Sequence, residues 1–326
     1  MKKISKKISK AAAFLSLALG GAMIFGAAVA QQKTMAIGTG GTGGVYYPLG
    51  GGLANVISKY MGVQATAEVT GGSVDNLKLI GAEKSEVGFA MADAALDAYE
   101  GKDKFTTGKI PLRALMVLYP NRMHVVTIDG TGIEKMSDLK GKRVSTGSPG
   151  SATEVMAFRL IEAAGLDKDK DMKRERLGAA ESVNAIKDRK IDAFFWVGGI
   201  PTSAVTDLAA TPGVKLKLVD HAEYVDAMNQ KYGHLYSKGV IKSGSYPAQD
   251  KDNANADVWN ILVTNDKMSD QTAYDLVKLM IDKKADLVAV HSEAKSFTLE
   301  NQKKDNSPVP FHPGAIKYYK EQGLAL

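Results

Sequence analysis

An α/β fold in two lobes built on one plan is what the sequence predicts, and three observations carry that prediction. Met35 to Tyr60 reads as strand, glycine loop and helix. Short apolar strands then alternate with segments of helical spacing, the pattern of a parallel α/β sheet. Finally, Thr39-Gly40 and Gly43 recur as Thr146-Gly147 and Gly150, 107 positions later.

The first unit sets the chemistry. Met35-Ala36-Ile37 leads into Gly38, Gly40, Gly41, Gly43 and Gly44, and Pro48 stands near the start of a helix with Leu49, Leu53, Val56 and Ile57 on one face. Backbone without side chains approaches a ligand closely, and the first N–H groups of a helix have no internal partner. A carboxylate or phosphate suits such a site. Gly38-x-Gly40-x-x-Gly43 also fits a dinucleotide fingerprint, with Glu68 as its ribose acid, but bulky Val45, Tyr46, Tyr47 and Pro48 follow the third glycine.

In order, Gln64–Val69 alternates as a strand and ends in Thr70-Gly71-Gly72-Ser73. A helix follows through Val74, Leu77 and Ile80, then a strand over 87–91, a buried strand over 112–119 and an extended crossing over 123–128. From Lys142 the plan repeats: a strand enters Thr146-Gly147-Ser148-Pro149-Gly150-Ser151, and a helix over 152–164 stops at Gly165. Ser73-Val74 is echoed by Ser182-Val183, and Val87-Gly88-Phe89 by Ile191–Phe194. A strand over 257–264 returns to the first lobe, one helix covers 270–288, and a proline-rich tail precedes a last helix over 315–322. Crossings at 123–128 and 257–263 act as hinges between lobe 1 (31–125 plus 260–326) and lobe 2 (126–259).

Residues 1–30 read as an export signal: five Lys, an apolar run from Ala11 to Val29, and Ala28-Val29-Ala30 as a cleavage site. Removing those five Lys lowers the net charge from +6 to +1, which withdraws the electrostatic argument for nucleic acid. The chain has no Cys, so thiol catalysis, disulfides and zinc–thiolate sites are excluded. Its five His are scattered without metal-ligand spacing and no G-x-S-x-G is present, so no catalytic, metal or cofactor site is expected.

Candidate ligand contacts follow from the two glycine loops. Thr39, Gly40, Gly43 and Gly44 offer backbone donors, and Tyr46 and Tyr47 offer hydroxyls, one of which is expected to face the cleft. Ser73 and Asn76 stand at a helix start, and Ser148, Ser151 and Thr153 at another, where Ser151 and Glu154 also form a capping-box pattern. Asp93 or Glu154 is the counter-charge for a ligand ammonium, and Trp196 is a cleft wall. No arginine lies within these loops, so helix dipoles, backbone N–H groups and hydroxyls are expected to hold the anion.

IGTGGTGGVYYPLGGGLANVI, VTGGSVDNLKLI, DLKGKRVSTGSPGSATE and FFWVGGIP together make the chain resemble the TAXI solute-binding proteins of TRAP transport systems. The resemblance spans essentially the whole mature chain and departs at Ala152, where the family more often has glycine. It implies a two-lobe periplasmic binding protein fold, type II-like, and a monomer. The implied role is capture of a small carboxylate, glutamate-like or a dicarboxylate, for a TRAP membrane permease. The alternative is an exported α/β enzyme holding a nucleotide or phosphate ester on the glycine loop.

Overall fold

The computed structural model describes residues 33–326; the expected export signal lies outside them. The first half runs β1 (Thr34–Gly38), α1 (Tyr46–Met61), β2 (Gln64–Glu68), α2 (Ser73–Gly81), β3 (Val87–Met91), α3 (Ala92–Glu100) and β4 (Leu112–Ile128). The second continues with β5 (Arg143–Ser145), α4 (Ala152–Ala163), β6 (Lys173–Glu175), α5 (Ala179–Lys187), β7 (Ala193–Gly198), α6 (Ser203–Ala209), β8 (Leu216–Leu218), α7 (Val225–Tyr232) and β9 (Tyr236–Ile241). β10 (Asn253–Asn265), α8 (Asp270–Asp282), α9 (Lys284–Val290) and α10 (Pro313–Glu321) complete the chain.

One sheet runs through both halves in the order β2-β1-β3-β10-β4-β7-β5-β6, with β8 beside β4 and β9 beside β10. The sheet is mixed where the strand–helix alternation implied a parallel one. β2-β1-β3 and β6-β5-β7 are parallel trios, and β10 and β4 join them antiparallel, because each enters from the opposite half. The two trios have the same internal order, so the repeat seen in sequence is architectural. It extends to hydrogen bonds: the Thr39 N–H donates to Glu68 O at 3.1 Å, and 107 positions on the Thr146 N–H donates to Glu175 O at 3.0 Å.

The expected strand over 112–119 and crossing over 123–128 are a single strand of 17 residues. Pro120 interrupts neither, because β10 shifts register between Trp259 and Ile261 opposite it, which accommodates the missing donor. Both crossings are thus ladder strands: β4 pairs β10 through 112–122 and β7 through 122–127, while β10 pairs β3 through 260–263 and β9 through 253–258. The expected helix over 270–288 is two helices, broken at Lys283. The tail adds to the first half: Phe311 bridges Ala114, and α10 packs on α8.

An extended core formed by β3, β4, β10 and their flanking helices spans the two halves. A second, smaller cluster lies among α5, α6, β7 and β8. Among the described residues no helix is long and apolar enough to cross a membrane.

Candidate functional site

Four helices begin at one cavity of about 390 Å³, a size suited to a small ligand. α1 and α2 present their first turns from one side, α4 and α5 from the other, each following a strand of a parallel trio. Three of these helices start without a side-chain cap, at Val45, Gly72 and Gly178. The fourth is capped by Ser151, whose Oγ accepts the Glu154 N–H at 3.2 Å. Uncapped first-turn N–H groups and the positive ends of four helices give the cavity a lining with the chemistry to hold an anion, each dipole contributing about 0.3–1 kcal/mol when exposed.

The rims of the two halves touch around the cavity. The Asp75 N–H donates to Gly150 O at 3.1 Å and Ser148 Oγ–H to Gly71 O at 3.0 Å. On the other side the Ala204 N–H and Ser203 Oγ–H both donate to Gly43 O, at 3.2 and 3.0 Å. Glycine makes this approach possible. A Cβ on Gly43 would lie 3.1 Å from the Ala180 Cβ and one on Gly71 2.4 Å from Pro149 O.

Of the residues expected at the site, Gly40, Gly43, Gly44, Tyr46, Ser73, Ser148, Ser151, Thr153 and Trp196 line the cavity. Tyr46 closes the floor: its hydroxyl donates to Asn260 Oδ1 at 2.9 Å, its ring stacks on Phe89, and burial pushes its pKa well up. Trp196 is held by its Nε1–H donating to Thr202 Oγ1 at 2.9 Å.

Five expected residues lie elsewhere. Thr39 is buried below the loop, its hydroxyl donating to Glu68 O at 2.6 Å. Asn76 anchors the same loop, donating to Thr39 O at 2.6 Å and Phe89 O at 2.8 Å. Tyr47 points away from the cavity lining and is 37% exposed, as expected for one of two adjacent tyrosines on a helix.

The two proposed counter-charges are committed to protein partners. Asp93 is fully buried, accepting from Tyr236 Oη at 2.9 Å beside Arg159, and desolvation raises its pKa. Glu154 completes only half of the capping box, because its carboxylate accepts a fork from Arg176 (2.6 and 3.1 Å) instead of turning to the backbone. Neither lines the cavity. Glu68, the ribose acid of the dinucleotide pattern, does not line it either, and Gly43 faces Ala180 and Ala204 across the rim, where its lack of a side chain lets the halves touch.

One wall, Arg176-Leu177-Gly178-Ala179, was missed in the sequence, and with it an arginine that lies outside the two glycine loops. The signal was present: these residues lie 107 positions after Val69-Thr70-Gly71-Gly72, which line the opposite wall. β6 has only three residues and a charged pattern, KRE, so periodicity did not reveal it.

A model of the NMT1-like family matches residues 37–323. Among solved structures, the chain is similar to a periplasmic transporter, with 14% identity over 90% of this chain and 93% of that one, at a TM-score of 0.55. It is also similar to the binding protein component of an ABC phosphonate transporter from Pseudomonas aeruginosa (12% identity, 82% and 80% covered, TM-score 0.51). An ancestral arginine-binding protein bound to arginine matches at 14% identity, 82% and 99% coverage and a TM-score of 0.50. At such identities the likeness concerns the fold, which is the two-lobe periplasmic binding protein fold.

Proposed function

The chain belongs to the NMT1-like family, and from that premise we propose that it is an exported solute-binding receptor that closes two lobes on a small organic anion. The observation that carries this reading is the convergence of four helix starts on one cavity whose rims meet through glycine contacts. Lobe 1 is assigned to residues 31–125 plus 260–326 and lobe 2 to 126–259, the boundaries falling within β4 and β10, so that bending of two strands opens the cleft. Tyr46, Ser73, Ser148, Ser151, Thr153 and Trp196, with the backbone of Gly40, Gly43 and Gly44, are the proposed contacts.

The ligand proposed is a glutamate-like or dicarboxylate anion. Its destination is a TRAP-type permease, a partner drawn from the resemblance of the four glycine-rich motifs. The proposal includes export through the signal read over residues 1–30, cleavage near Ala30 and a periplasmic monomer with no catalytic turnover. A thermal-shift screen of amino acids and organic acids tests the reading: a binder raises the melting temperature by mass action. No shift with any carboxylate would overturn it. The phosphate-ester alternative is tested by the same assay with NADH and nucleotides, where a shift would favour it.

A further inference from the structure

The two walls of the cavity are related by the internal repeat, and only the second carries charged side chains, Arg176 and Glu181. Val69, 58% exposed, stands on one wall, and its counterpart 107 positions on is Arg176. Arg176 Nε donates to Glu154 Oε1 and Nη2 to Glu154 Oε2, a fork that fixes the guanidinium plane. Its Nη1 has no protein acceptor among the described residues. Glu154, its side chain 2% exposed, is shared with Arg174 (3.3 Å) and Lys104 (3.7 Å), and Arg174 is paired in turn with Asp169 (3.5 Å), so Glu154 is not given over to Arg176 alone. The other charged side chain on the lining, Glu181, is folded over Gly178 at the start of its own helix, where a Cβ would meet its Oε2 at 2.5 Å.

We propose that Arg176, braced by Glu154, is a specificity-determining residue that reads a second acidic group on the ligand. The helix starts hold one carboxylate and Arg176 the other, with Val69, Met91 and Leu177 lining the apolar space that a short spacer fills. The receptor therefore prefers a dianion to a monoanion of the same length. This inference rests on the reading of the cavity as a carboxylate site.

Titration calorimetry with glutarate and pentanoate, which differ only in the second carboxylate, tests it. The wild type is expected to bind glutarate about tenfold tighter, the value of one partly exposed charge-assisted contact. R176Q should bring the two affinities within about twofold of each other by weakening glutarate alone, whereas a merely structural role would weaken both alike. A glutarate preference that persists in R176Q overturns the proposal, as does equal binding of the two acids by the wild type. Should R176Q fail to fold, the wild type still decides: with the side chain 47% exposed, its glutarate preference must shrink as salt is added, and a salt-independent preference overturns the assignment. Wild-type binding of neither acid would instead overturn the carboxylate reading of the cavity.

Discussion

Gly44 lies directly against the indole of Trp196: a Cβ on Gly44 would sit 2.8 Å from Trp196 Cη2 and 3.1 Å from Cζ2. At this point the glycine loop of the first half and the strand end of the second approach each other because Gly44 has no side chain. Here glycine serves the contact between halves rather than an unusual backbone angle, since Gly44 is not among the positive-φ residues.

That contact predicts a selective defect. G44A should fold and melt close to the wild type, because its backbone accepts a methyl group, but its rims cannot meet without moving Trp196. The ligand-induced rise in melting temperature should fall by at least half. An undiminished rise in a thermal-shift assay would contradict the role given to this contact.

S148A removes the Oγ donor to Gly71 O, a bond made between the halves. Losing one such bond is expected to weaken closure by about 1 kcal/mol, or roughly fivefold in ligand affinity. Urea unfolding of the unliganded protein should be nearly unchanged, and calorimetry of any identified ligand measures the rest.

Arg159 on α4 reaches Asp97 and Asp93 on α3 and donates to Tyr236 Oη at 2.9 Å, joining the halves through a buried polar cluster. R159M leaves two buried carboxylates without their cation and should destabilise the protein by about 3 kcal/mol or more in urea. Desolvation, opposed by Arg159, raises Asp97 to about 6. Protonation removes the need for the cation, so the deficit of R159M should narrow as pH falls through 6; a deficit that widens would refute the account.

His221 is fully buried, its Nδ1 bonded to Val219 O at 2.8 Å, and burial lowers its pKa from 6.5 to about 4. The unfolded chain takes up a proton near pH 6.5 where the folded one does not. Stability present above pH 6.5 is therefore lost as pH falls toward 4, by an amount on the order of 3 kcal/mol at most. Asp97 and Asp257, both raised to about 6 mainly by desolvation, act in the opposite sense over this window. The clean measurement is thus a difference: H221Q should show a flatter acid-side loss of stability than the wild type, and equal slopes would count against the burial argument.

Glycine spacing, helix starts and the 107-residue recurrence were legible in the chain itself, because they are local: a loop of small residues before an apolar helical face has few conformations open to it. Those features fixed the α/β class, the doubling and nine of the cavity residues. What they could not fix was partnership. Asp93 and Glu154 looked like free carboxylates until the fold set Arg159 and Arg176 beside them, and Arg176 was hidden in a three-residue charged strand with no period to read. Likewise, one 17-residue strand replaced a strand and a separate crossing. Ion pairs and ladder pairing join residues far apart in sequence, and their free energy exists only once the chain has brought them together.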